Sequence, residues 1–318
     1  MSYRLRKKSI DREVHRVALQ QLEGALKEVL TVAEQGRSTA VHEARKHIKK
    51  VRALIRLLRP AMGNAFCKGE NAALRKAAQR ISSIRDAHVR VQTIKKLMTR
   101  SRAHRAEFAR IREAMVARLQ QVLDESRQSD WCKHVAADIE RAICSLNDWP
   151  LKRLKAKSIR HGLKTACKKA RRALAAARRD ASDANLHELR KGIKDLWYDL
   201  QLLGGNRPAP IKALTKSMRD LGEKLGNDHD LAMLLGARDD NPLPDPADWA
   251  ALEKTLASHR PQSQRAALRL ATTVLNRKPG AFADFVFDLT ARPSARRGEL
   301  LCPGGHAGRV CGVVSGDS

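Results

Sequence analysis

Two short stretches of this chain carry histidine, arginine and lysine at a spacing suited to holding phosphate. In the first, His42, Arg45, Lys49, Arg52, Arg56 and Arg59 recur every three or four residues. In the second, His187, Arg190 and Lys194 do the same, before the stripe loses its charge at Trp197 and Gln201. Residues three and four apart are neighbours on a helix, so each stretch stacks like charges along one face with no carboxylate between them. Each such pair destabilises an isolated helix by about 0.2–0.5 kcal/mol. A linear polyanion lying along the helix reverses that sign. Arginine forks across two phosphate oxygens and lysine supplies a point charge. His42 and His187 can join as imidazolium at mildly acidic pH. Glu43 and Glu188 read as first-turn acids favoured by the helix dipole, and so as structural.

The two stretches align without gaps. VHEARKHIKKVRALIRLL and LHELRKGIKDLWYDLQLL share eight of eighteen positions, among them His42/His187, Arg45/Arg190, Lys46/Lys191 and Lys49/Lys194. Beside each cationic stripe runs an apolar one. Val41, Ala44, Ile48, Val51, Ile55 and Leu58 in the first copy correspond to Leu186, Leu189, Ile193, Leu196, Leu200 and Leu203 in the second. That spacing is the buried seam of a helix in a bundle.

The whole chain agrees with an anionic partner. It has 318 residues with 63 Lys+Arg against 34 Asp+Glu, a formal net charge of +29. Self-repulsion of that size is relieved by a polyanion. Aromatic residues are only 3% of the chain. The base-stacking platforms of single-strand nucleic-acid binders are therefore missing, and nucleic acid is expected only non-specifically. No phosphate-binding glycine loop, HExxH or paired-carboxylate cluster is present, so no catalytic residue, cofactor or metal is expected. Asp86, Asp228 and Asp230 read as helix caps or internal ion pairs. Cys67, Cys132, Cys144, Cys167, Cys302 and Cys311 form no CxxC pair and read as reduced thiols in a cytosolic protein. Cys302, His306 and Cys311 are three possible ligands without a fourth. No signal peptide follows Met1–Lys8, and no apolar run is long enough to span a bilayer.

Leucine, alanine, arginine, lysine and glutamine dominate, and no period-2 alternation persists, so the fold class is all-α. Helices are expected over Ile10 to Glu34, Thr39 to Pro60, Phe66 to Arg100 with a kink at Ser82-Ser83, Arg102 to Ser126 and Trp131 to Leu146. After the Asn147–Pro150 break they are expected over Ser158 to Arg179, Ala184 to Leu203 capped by Ser182-Asp183, Pro208 to Ala237 and Ala247 to Leu275. The order of elements repeats, which predicts two halves, about 5–146 and 151–276. Residues 277–318 are rich in glycine and proline and read as a poorly ordered tail.

The paired His-Glu-x-Arg-Lys-x-x-Lys segments, each opening an amphipathic helix of a duplicated all-helical chain, resemble the CHAD family, the conserved-histidine α-helical domain. The resemblance covers about residues 5–276. It implies two four-helix bundles related by a pseudo-two-fold axis, a basic channel or groove, and binding of inorganic polyphosphate, in the cytoplasm and at polyphosphate granules with granule proteins as partners. Carried over by position, the basic motif falls on His42, Arg45, Lys46, Lys49, Arg52 and Arg56, and on His187, Arg190, Lys191 and Lys194. Arg85 from the first half, and Arg160, Lys164 and Lys168 from the second, are further candidate channel walls. Two readings compete with a pure binder: a histidine phosphotransfer or polyphosphate-metabolising enzyme, and non-specific binding of nucleic acid.

Overall fold

The computed structural model describes residues 3–6, 9–35, 38–100, 103–204, 208–238 and 245–291. Among the described residues there are eleven α-helices and no strand. α1 (Ile10–Gln35) and α2 (Ser38–Met62) pack along each other as a helical hairpin. The buried seam of α2 is the predicted one, with Val41, Ala44, Ile48, Val51, Ile55 and Leu58 each at most 1% exposed. Gly63 then takes φ +90°, a left-handed conformation that only glycine adopts without strain, and turns the chain into α3 (Asn64–Arg80). The helix expected to reach Arg100 with a kink at Ser82-Ser83 is two helices, and the break falls next to that kink. The chain breaks at the buried Ile81, and α4 (Ser82–Arg100) sets off afresh. α5 (Arg105–Gln128) and α6 (Trp131–Ser145) follow.

After two single 3₁₀ turns, α7 (Ala156–Arg179) and α8 (Asp183–Leu203) form a second hairpin. The α8 seam is buried from Leu186 to Leu200, and Leu203 at its end is half-buried. Ser182 occupies the N-cap position of α8 but makes no capping bond. Asp180 organises the turn instead, accepting from the Ser182 backbone N–H and the Asn185 side chain. α9 (Ala209–Leu235) and α10 (Pro246–Val274) complete the region expected to be helical. Asp245 caps α10 by accepting from the Ala247 N–H at 2.8 Å.

The tail does not begin at residue 277. α11 (Pro279–Ala291) packs against α7, with Phe282, Ala283 and Val286 at most 1% exposed. Pro279 and Gly280 suggest a break, but proline at the first helical position is a start signal. Phe282, Val286 and Leu289 supply the helical period behind it. Residues 292–318, with Cys302, His306 and Cys311, lie outside the described residues.

The apolar core does not divide at residues 146–151. One continuous cluster takes side chains from α1, α2, α3 and α6 and from α7, α8, α9, α10 and α11. A second cluster joins Val91, Ile94, Phe108 and Ile111 of α4 and α5 to Leu234, Trp249 and Leu252 of α9 and α10. α7 is the wedge that brings the two cationic helices together. A Cβ at Gly162 would overlap the Leu57 carbonyl of α2, and one at Gly192 of α8 would stand 3.0 Å from the Cα of Ala170. Two neighbours therefore approach α7 at near-backbone contact, and α2 and α8 also touch each other.

Candidate functional site: a cationic recess between α2, α4, α8 and α9

Lys49 lies at the centre of the site. The charges that act on it most come from Arg45 on its own helix, Arg190 and Lys194 on α8, and Arg85 on α4. Its side chain is exposed to solvent, although protein atoms crowd the space around it. Burial first, and then these four cations, pull its ammonium down to about 7. The two stripes therefore share one recess. Burial also lowers Arg45, Arg85, Arg190 and Lys194 from their ordinary values, with Asp86 and Asp230 opposing the shift at Arg45, Arg85 and Arg190 and the Arg190 charge adding to it at Lys194.

His42 and His187 stand near the ends of the rows. Burial, then Arg85 for His42 and Lys191 for His187, push both below the ordinary imidazole value. A nearby anion would work against both shifts and favour the imidazolium form. His187 packs against His229 of α9 with ring centroids 4.4 Å apart. Its Nδ1, like the Nε of Arg190, is buried with no hydrogen-bond partner among the described residues. Native proteins leave few such buried polar atoms unpaired, so this corner is polar and under-satisfied.

Two carboxylates moderate the recess. Asp86 lies beside Arg45, and Asp230 beside Arg190 and Arg85. Burial raises both from their usual values. Asp228 is different: it is an internal salt bridge, as its sequence position suggests, held at 3.0 Å by Arg260 of α10.

The remaining candidates fall elsewhere. Lys46 and Lys191 stand at the rim, paired with Glu43 at 2.9 Å and Glu188 at 2.5 Å. Those glutamates lie past the first helical turn, so their role is this side-chain pairing and not the helix dipole. Arg56 is committed to structure, bound to Asp195 of α8 at 2.5 Å and to Asn71 of α3 at 3.2 Å. Arg52 reaches the same Asn71 oxygen at 3.4 Å, and burial, followed by Arg56, lowers it to about 10. Arg160 pairs with Asp284 of α11, and Lys164 and Lys168 face solvent on the side of α7 opposite its buried seam. None of the three is among the charges that act most on Lys49.

Sequence reading missed His229, Asp86 and Asp230 as recess residues. The local signal was present in the Asn227-Asp228-His229-Asp230 run, but only the packing of α9 on α8 gives it a direction. Trp197, where the charge of the second stripe runs out, lies under Lys194, whose Nζ is 4.6 Å from its ring centroid. Such a stack holds an ammonium without neutralising it. Among the described residues no cluster of three or more His, Cys, Asp or Glu could hold a metal, and no helix is long and apolar enough to cross a membrane.

A family model described as the CHAD domain matches residues 16–239. The chain is also similar to a solved structure, the crystal structure of the CHAD domain from the plant Ricinus communis. That likeness has 18% sequence identity and a TM-score of 0.56, and covers 93% of this chain and 98% of the other. At that identity it shows the fold alone. No curated protein matches. With the family match spanning most of its length and both histidine motifs inside it, the chain belongs to the CHAD family.

Proposed function

We propose that this chain binds inorganic polyphosphate in the recess formed by Arg45, Lys49, Arg85, Arg190 and Lys194, and that it does so without turnover. The observation that carries this reading is the field at Lys49, where four other cations from three helices converge on one solvent-accessible ammonium. Such convergence costs folding energy and is offset when an anion enters. The family is linked to polyphosphate binding in general. In the same reading, the recess is one wall-to-wall basic channel and the two rows are copies of a duplicated unit. Matched pairs support this. His42, Arg45 and Lys49 recur as His187, Arg190 and Lys194, and the Glu43–Lys46 bond recurs as Glu188–Lys191. The site of action is the cytoplasm, at polyphosphate granules, with granule proteins as neighbours.

Binding follows the physics of other polyanion complexes. Each Lys or Arg contact releases condensed counterions, so affinity falls steeply with salt. Titration with polyphosphate tests the reading, using the wild type and the Lys49→Ala/Lys194→Ala variant. The variant should bind at least about tenfold more weakly, given charge-assisted contacts of about 1.5–3 kcal/mol each. Equal affinities would refute the reading. Released phosphate on incubation with Mg²⁺, or labelling of the exposed His42 by a phosphodonor, would replace the binder with an enzyme.

A further inference from the structure

Helix α7 presents a second cationic surface that the recess does not use. Its inner face, with Ile159, Leu163, Cys167, Ala170 and Leu174, is buried. The opposite face carries Lys157, His161, Lys164, Lys168 and Arg172, all exposed and three or four residues apart. From Lys157 to Arg179 there are nine Lys or Arg and no Asp or Glu.

Other exposed helices of this protein pair their cations within a turn, as in Lys133–Asp130, Lys191–Glu188 and Lys216–Asp220. On α7, among the described residues, only Arg160 forms an ion pair with a carboxylate, and Lys169, off this row, acts on Glu188 of α8. Arg178 and Arg179 suit the negative C-terminal end of the helix dipole, but Lys157 in the first turn opposes the positive N-terminal end. Repulsion along the row and against the dipole both work against the helix. Packing does not call for the row either, because the inner face already provides the burial.

We propose that the outer face of α7 is a docking strip for the phosphate backbone of duplex nucleic acid, separate from the recess and independent of what fills it. Three observations select this occupant. The strip has no Phe, Tyr or Trp on which unpaired bases could stack, and His161 is its one small ring, which disfavours a single strand. The apolar face of α7 is spent in the core, so the helix cannot lie in a membrane interface. The strip follows one uninterrupted helix, about 22 Å from Lys157 to Arg172 at 1.5 Å per residue, and all its side chains are exposed. A flexible polymer must be straightened to lie along it, at an entropic cost that a stiff duplex does not bear. Lysine point charges on an open face read no sequence, so binding is to backbone alone.

The test uses the full chain and a labelled DNA duplex of about 20 base pairs, longer than the strip at about 3.4 Å per step. The variant Lys157→Gln/Lys164→Gln/Lys168→Gln/Arg172→Gln should bind the duplex at least about tenfold more weakly at ~0.1 M salt, with the log–log salt slope reduced by about 3–4. Its affinity for short polyphosphate should stay at the wild-type value, and its circular dichroism should remain helical. The Lys49→Ala/Lys194→Ala variant should keep its duplex affinity. The proposal is overturned if the wild type does not bind the duplex, or if the strip variant binds it as tightly as the wild type. Loss of short-polyphosphate binding in the strip variant would also overturn it, by making the strip part of the recess. So would loss of duplex binding in the recess variant alone.

Discussion

Arg56 of α2 holds Asp195 of α8 across a 2.5 Å ion pair, and this bond ties together the two helices that carry the cationic rows. Both side chains are mostly buried, at 27% and 18% exposure. Nearby, Asp199 is buried with one carboxyl oxygen unpartnered among the described residues, and burial, then Asp195, raise its pKa well above the usual carboxylate range. The Arg56–Asp195 clamp thus stands in a poorly solvated corner where a lone charge is expensive.

Removing one partner leaves the other uncompensated. Asp195→Ala should lower unfolding free energy by about 2–3 kcal/mol, toward the range for breaking a buried pair. Urea denaturation measures this. A change under about 0.5 kcal/mol would place the pair with ordinary surface bridges.

Lys49 couples binding to protons. In the fold it titrates at about 7, against about 10.4 for a free lysine. Between these values the unfolded chain holds more protons than the folded one, so this residue makes stability rise with pH from about 7 to about 10.4. A bound anion favours the ammonium, so binding takes up protons and weakens as pH climbs through the same window. Calorimetry at about pH 8 in buffers of different ionisation heat should show net proton uptake, and Lys49→Arg, charged throughout, should remove most of it, leaving the share of His42 and His187.

Two glycines give opposite outcomes for one substitution. Gly162→Ala drives a Cβ into the Leu57 carbonyl and must part α2 from α7, at a cost of about 1–3 kcal/mol or more. Gly69→Ala, in α3, meets nothing within 4 Å and should stabilise by about 0.5–1 kcal/mol through helix propensity. Thermal denaturation of the pair checks both signs.

Lys194 over Trp197 offers an optical reporter. An anion that draws the ammonium off the ring should change tryptophan emission. Trp197→Phe should remove that change while affinity, read by calorimetry, falls by no more than a few-fold. An unchanged signal in this variant would assign it to Trp131, Trp149 or Trp249.

What could be read in the sequence follows from the range of each interaction. The seams of α2 and α8 were legible because burial imposes a period on neighbours in sequence, and Ile48 and Ile193 are fully buried as that period requires. The convergence of Lys49 and Arg190 was legible only through the repeat of the motif. Arg56 looked like one more free cation because its partner Asp195 lies 139 residues away. Arg160 looked like a channel wall for the same reason, its partner Asp284 being 124 residues away in a helix hidden behind Pro279-Gly280. Asp86 has Arg85 and Arg90 within four residues as a local sign of its cations, but nothing local points it at Arg45, or Asp230 at Arg190 and Arg85. Ser182 had the right type for a cap, but the neighbouring Asp180 took the bonds.

The central claim is that one anionic strand touches both rows at once. Calorimetric stoichiometry with a short polyphosphate tests it most directly, on the wild type, Lys49→Gln and Arg190→Gln. The account predicts one strand per chain in all three proteins, with each substitution weakening the whole binding event. Two strands per wild-type chain, with each substitution deleting one and sparing the other, would contradict it.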